Sequence, residues 1–225
     1  MEFNADLVGD LARQRVVLFL GAGVSASAKT QSGNPLKGWG AFLSSVNDLE
    51  LKGDVKGQVE KLIESGDYLL ACEIIQGEVS DRWENLLRSE FGQAAEPSEL
   101  HTALWSLRQR IILTTNFDKI IETSLAASGG SHYYPVVISK LEPRVFRMLK
   151  AHATTYVIKL HGTIDDRNGM VFSRSEYIKN AFGSVNYAAL LDVLMLNYTF
   201  LYVGFSMEDP AIVSLMEMYA FKYPD

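Results

Sequence analysis

The sequence predicts an α/β fold, a Rossmann-like doubly wound parallel sheet with an inserted helical subdomain, and three observations predict it. Apolar runs of β-formers recur at residues 16–20, 111–114, 156–160 and 200–203, with a weaker one around 133–138. The first, Val16 to Leu20, is unbroken rather than alternating, as expected of a strand covered on both faces, and the others are similar. Helical periodicity fills the intervals, and regular strand and helix alternation implies a parallel sheet. Finally, four of the runs lead straight into small and polar residues: Gly21-Ala22-Gly23-Val24-Ser25, Thr114-Thr115-Asn116-Phe117-Asp118, Leu160-His161-Gly162 and Gly204-Phe205-Ser206. Open α/β sheets build their ligand sites at that carboxyl edge.

Taken in order, a short helix is expected at about residues 4–13, followed by the first strand and its glycine turn. Gly33-Asn34-Pro35 then reads as a loop long enough to fold over a ligand, with a helix restarting near Trp39, where Trp39 anchors that helix in the core. From about 41 to 108 only helical patterns occur, at 41–49, 55–64, 68–79, 81–91 and 98–107, punctuated by Gly53, Gly57, Gly66, Gly77, Gly92 and Pro97. That stretch is too long for one crossover helix, so it is expected to form a helical layer beside the sheet that roofs the cleft. Further helices are expected at 118–127, 143–150, 187–197 and 209–221. The last is strongly apolar, and packs either on this domain or on something beyond the chain. The expectation is one domain over residues 1–225, forming the N-terminal part of a larger protein.

Composition narrows the function classes. With 225 residues, 48% apolar and 21% charged, the chain is an ordinary globular one able to bury a substantial core. Its net charge of −6 argues against direct nucleic-acid binding, which needs clustered Lys and Arg. Cys72 is the only cysteine, so neither an internal disulfide nor a multi-thiolate zinc site can form within one chain, and its helical context reads as a small buried hydrophobe. The N-terminus lacks the basic start and apolar stretch of a secretory signal, and no apolar run approaches about 20 residues. A cytoplasmic protein with no membrane partner is the expectation.

The glycine turn is similar to a dinucleotide fingerprint, in which glycines let the backbone approach a pyrophosphate; a tight strand-to-helix turn explains it equally well. A hydride-transfer enzyme wants an acid about 20 residues later for the ribose. None occurs between Asp10 and Asp48, whereas Arg13, Arg15, Lys29 and Lys37 do. The site therefore suits a dinucleotide held in another way. Asn116 supplies both a donor and acceptors for a sugar hydroxyl, a carboxamide or a water, while Asp118 fits a helix cap as well as a ligand contact. His161 puts an imidazole, the side chain suited to proton transfer near neutrality, at the end of a central strand. His101, His132 and His152 show no metal-ligand spacing and read as structural. Ser206 and Asp209 serve either as ribose or phosphate contacts or as caps.

As an ordered set these segments resemble the sirtuin family, and more closely its divergent bacterial branch of sirtuin-like domains. Gly21 to Ser25 is similar to that family's Gly-Ala-Gly-x-Ser, Asn116 and Asp118 to its Asn-x-Asp, His161-Gly162 to its His-Gly, and Gly204 and Ser206 to its Gly-x-Ser. The resemblance implies NAD+ as substrate, with no metal, and cleavage of the nicotinamide–ribose bond. It implies Asn116 and His161 as the catalytic pair, with His161 as general base. Gly21, Ala22, Gly23 and Ser25 would line the phosphate and nicotinamide pockets, Asp118 the nicotinamide end, and Gly204, Ser206 and Asp209 the adenosine half. Deacylases of the family carry a four-cysteine zinc ribbon after His-Gly and a Gly-Ile-Pro-Asp-Phe-Arg loop after the glycine turn; this chain has neither. Water is then the default acceptor, giving nicotinamide and ADP-ribose, and the bacterial branch implies an NAD-depleting anti-phage effector that works as a homo-oligomer or with a fused or associated sensor. Two other classes stay open: a protein deacylase or ADP-ribosyltransferase, and a non-catalytic module that binds NAD or ADP-ribose.

Overall fold

The computed structural model describes residues 4–128, 134–150, 153–166, 169–183, 185–205, 213, 216–217 and 219–221. Among them the chain runs α1 (Ala5–Ala12), β1 (Val16–Leu20), α2 (Ala22–Ala26), β2 (Lys29–Thr30), α3 (Trp39–Glu50), α4 (Gly53–Glu64), α5 (Tyr68–Val79), α6 (Trp83–Phe91), β3 (Ala95–Glu96) and α7 (Glu99–Ser106). It continues through β4 (Ile111–Thr114), α8 (Ile120–Ser128), β5 (Val136–Ile138), a 3-10 segment (Pro143–Lys150), β6 (Tyr156–Lys159), α9 (Arg174–Gly183), α10 (Val185–Asn197) and β7 (Thr199–Val203).

Five strands form one sheet in the order β5-β6-β4-β1-β7, every neighbouring pair parallel. From β1 the chain moves to β4 on one side and returns at β7, the last strand among the described residues, to the other side. The order thus reverses between β1 and β7, and the crevice outside their carboxyl ends is where this architecture places ligands.

Both faces of the central strands β1, β4 and β6 are covered, which is why they read as almost wholly apolar runs. Val17, Phe19, Ile111, Leu113 and Ile158 pack against Tyr187, Leu190, Leu191 and Leu194 of α10 on one face. Val16, Leu18, Leu20, Ile112 and Val157 meet Leu7 and Leu11 of α1, Leu104 of α7, and Ile121 and Leu125 of α8 on the other. A third cluster lies to the side. There α3, α5 and α6 bury Phe42, Leu43, Cys72, Ile75, Trp83 and Leu87 together with Ile164, Met170 and Phe172 from the chain after β6. Burial pushes the Cys72 thiol well above its usual range, as suits a packing residue.

The expected strands and the helices of the inserted layer are present, and four local features differ from expectation. The segment at 143–150 is a 3-10 turn series, opened by an i to i+3 bond from Val145 N–H to the Glu142 carbonyl (2.9 Å). α9 was not expected; Ser173 and Glu176 cap it reciprocally, with Glu176 Oε2 accepting from Ser173 N–H (3.0 Å) and Ser173 Oγ from Glu176 N–H (3.2 Å). Within the otherwise helical stretch, β3 pairs antiparallel with β2 and ties the loop after α2 to the chain before α7. The weak strand around 133–138 narrows to β5, a three-residue edge with Val136 and Val137 exposed. The helix expected at 209–221 falls largely outside the described residues. Among the described residues no helix is long and apolar enough to cross a membrane.

Candidate active site

At the end of β1 the chain makes its turn against the end of β7, and glycine is what permits it. Gly21 N–H donates to Val203 O (3.0 Å) and Gly23 N–H to Gly204 O (2.8 Å). A Cβ on Gly23 would lie 2.9 Å from Gly204 Cα, and one on Gly21 would lie 2.6 Å from Phe205 Cα. Gly204 itself has φ +64°, and a Cβ there would lie 2.5 Å from the Val24 nitrogen. Close main-chain approach thus needs all three glycines, as the fingerprint pattern suggested, but the partner they accommodate is the turn after β7.

Asn116 is fixed by the same turn. Its Nδ2 donates to Gly21 O and to Ser25 Oγ, both at 2.9 Å, and its backbone N–H donates to Thr114 Oγ1 (3.0 Å). Thr114 in turn donates to Leu20 O (2.7 Å), so the ends of β1 and β4 are locked together. Gly21 O can only accept, which settles the amide orientation and turns Oδ1 of Asn116 away from that turn. Two residues on, Asp118 is buried and its Oδ1 accepts from Ile120 N–H (2.9 Å), so the capping role weighed for it from sequence is present.

His161 directly follows β6 and Leu160 and is half-buried. Its carbonyl accepts from Val171 N–H (3.2 Å), and its ring stands edge-on to Tyr177 at 6.0 Å. Gly162 follows with φ +80°, where a Cβ would meet Gly169 C at 2.6 Å and Met170 Cα at 3.0 Å. The glycine therefore lets the chain after His161 fold back on itself. That chain packs as Ile164, Met170 and Phe172 into the helical layer, and Ile164 N–H donates to Phe117 O (2.8 Å).

These parts enclose one cavity of about 710 Å³, within the range of small-molecule sites. Ala22, Gly23, Ser25, Asn116, Asp118, His161 and Gly204 line it; Gly21 is not on its wall and acts from behind, through Asn116. Ser206 and Asp209, like His132 and His152, fall outside the described residues. The roof is the helical layer and its flanking loops, contributing Leu36, Trp39, Tyr68 and Phe91. Of the four cations in the acid-free span, Lys37 reaches the cavity, ion-paired to Glu90 at 3.3 Å.

Sequence reading missed two groups. Trp39 is not only a core anchor. It stacks on Phe172 and Phe42, both at 5.5 Å, and meets Phe117 edge-on at 5.7 Å, so an aromatic cluster forms one wall of the cavity. Lys159, inside β6, is wholly buried and pairs with Glu122 of α8 at 2.8 Å. A lysine within an otherwise apolar strand was the signal for it. Burial pushes the Glu122 carboxyl up, while the Lys159 ammonium pulls it back down.

Residues 110–225 match the family described as the SIR2-like domain. Among curated proteins the chain is similar to the NAD(+) hydrolase ThsA of Cytobacillus dafuensis, at 29% identity over 89% of this chain and 37% of the relative. It is similar also to the ThsA of Bacillus cereus strain MSX-D12, at 26% over 92% of this chain and 40% of the relative. The ThsA of Enterococcus faecium is 33% identical over 58% of this chain and 27% of the relative. The chain thus spans well under half the length of these relatives. A parallel sheet with its glycine turn, Asn-x-Asp and His-Gly segments gathered at one edge, and a family match over more than half of the residues, place this chain in the SIR2-like domain family.

Proposed function

We propose that this chain is the NAD+ hydrolase domain of a longer protein, cleaving the bond between nicotinamide and ribose C1′ and passing the ribose to water. One observation carries the reading: Asn116, Asp118 and His161, from two different strand ends, face one roofed cavity beside the β1–β7 switch point. Relatives named NAD(+) hydrolase add to it.

Cleavage passes through an oxocarbenium-like state, as other glycosidic cleavages do. Nicotinamide leaves neutral, taking the bonding electron pair, so no general acid is required. Water adds to C1′ and loses one proton, which His161 accepts; the products are nicotinamide, ADP-ribose and that proton. Asn116 Oδ1, its amide nitrogen already committed to Gly21 and Ser25, accepts a hydrogen bond from the ribose or the attacking water. Asp118 holds the carboxamide, and Gly23 and Ser25 the phosphate side, with Gly204, Ser206 and Asp209 assigned to the adenosine half. The aromatic roof keeps bulk water out.

Incubating the purified protein with NAD+ in the absence of any peptide and resolving products by chromatography tests this directly. Nicotinamide and ADP-ribose should appear, and Asn116→Ala and His161→Ala should each lower turnover by about 10²-fold or more. Unimpaired turnover by both variants would remove these assignments, and turnover only with an acylated peptide would favour the deacylase class instead. The wider setting, a cytoplasmic anti-phage effector acting as a homo-oligomer or with a sensor module, follows from the family resemblance. Light scattering and a plaque assay with the His161→Ala variant check it.

A further inference from the structure

We propose that Lys159 is a positioning residue that ties the strand end carrying His161 to the segment carrying Asn116 and Asp118. This rests on the reading of those residues as the reactive set.

Lys159 closes β6 two residues before His161, and its side chain has no exposure. It is not among the residues lining the cavity, so it acts through others. An ammonium so placed needs a full set of acceptors, since burying a charge is costly unless it is paired and hydrogen-bonded. Its Nζ donates to Glu122 Oε1 (2.8 Å), to the Asp118 carbonyl and, more weakly, to the Phe117 carbonyl (3.4 Å). Two of the three acceptors are therefore main-chain groups of the loop between β4 and α8, the loop that presents Asn116 and Asp118. The Phe117 carbonyl also accepts from Ile164 N–H, so the Asp118 carbonyl is the one that Lys159 chiefly serves. The same junction is bridged by Leu160 N–H to Thr114 O and Ile164 N–H to Phe117 O, both 2.8 Å, so Lys159 supplies the buried third tie.

Glu122 completes the arrangement from α8. Its second carboxylate oxygen, Oε2, is buried with no hydrogen-bond partner among the described residues. A pair serving stability alone gains little from such an incomplete set, because apolar residues of similar size commonly replace buried ion pairs without loss. What apolar replacements cannot reproduce is donation to the Asp118 carbonyl.

The test is the double variant Lys159→Met with Glu122→Leu, which leaves no unpaired buried charge. Its melting temperature should stay within a few degrees of wild type. Its kcat for NAD+ should fall by about tenfold to a hundredfold, the scale of a displaced reactive group, with KM changed by less than about threefold. Amide hydrogen exchange over residues 115–119 should accelerate while β1 and α10 stay protected. Wild-type kcat in the double variant, or unchanged exchange in that loop, overturns the proposal. If wild-type protein leaves NAD+ untouched, the functional reading fails by itself, and the exchange measurement still decides whether Lys159 holds the loop. The single variant Lys159→Met, which strands Glu122, should be less stable than the double one; equal stability would also count against the pairing.

Discussion

At the scale of single residues, the cavity edge of the sheet depends on main-chain groups as much as on side chains. Asn116 reports the position of Gly21, Gly21 is held by Val203, and Gly204 sits against Val24 at a φ that side chains resist. Gly204→Ala should therefore cost about 2–5 kcal/mol, combining left-handed strain with a Cβ forced onto main chain. A denaturant melt measures that loss, and a cost under about 1 kcal/mol would mean that the two turns separate easily. The strand-end residues that face the cavity, Gly23, Ser25, Asn116, Asp118, His161 and Gly204 among them, were legible at this scale because strand ends, glycines and polar residues are local patterns; its aromatic wall was not. Lys159 was not read, since a buried partner such as Glu122 lies on another element and nothing in the spacing of 122 and 159 announces it. Gly21 was legible as a glycine needed for close approach, yet the sequence could not say that the approaching chain was the turn after β7.

At the scale of elements, the strands buried on both faces were the most readable because continuous apolar runs leave few alternatives. β5 was weaker for the converse reason: it is an edge of three residues, half open to solvent. α9 was missed although Ser173 and Glu176 spell its capping box, because its side chains do not repeat an apolar face as α10 does. The joint between the helical layer and the sheet edge runs through Trp39, stacked between α3 and the chains after β4 and β6. Trp39→Ala should destabilise the protein by about 2–4 kcal/mol. It should also raise the KM for NAD+, since Phe117 lies between Asn116 and Asp118 and loses its neighbour. Calorimetry and initial rates together check this; lost stability with an unchanged KM would make the cluster a core feature only.

At the scale of the molecule, stability is coupled to acidity through His101, wholly buried at the N3 position of α7. Its Nδ1 accepts from Ser98 N–H (3.2 Å), and its Nε2 has no hydrogen-bond partner among the described residues. Burial holds its pKa below the ordinary imidazole value of about 6.5, against the pull of Asp118. The unfolded chain then binds the extra proton first, so this contribution to stability is complete above about pH 6.5 and is lost as pH falls toward the folded value. His101→Gln keeps an acceptor for the capping box and cannot titrate. Melting temperatures from pH 7.5 to 5.5 should fall less steeply in that variant than in wild type, and parallel curves would rule the linkage out. The assembly of the cavity was partly legible at this scale: order along the chain revealed the sheet edge and the helical roof, while which side chains of the roof face the cavity, Tyr68 and Phe91 among them, is a long-range matter that local spacing does not encode. The interlock of Gly21 and Gly23 with Gly204 carries one more consequence, for biosynthesis. β1 is the first described strand to leave the ribosome and β7 the last, so a growing chain that has not passed Phe205 has no wall on that side of the cavity and no anchor for the turn that orients Asn116. The cavity and the contacts that set Asn116 are therefore completed only when the turn after β7 has been made.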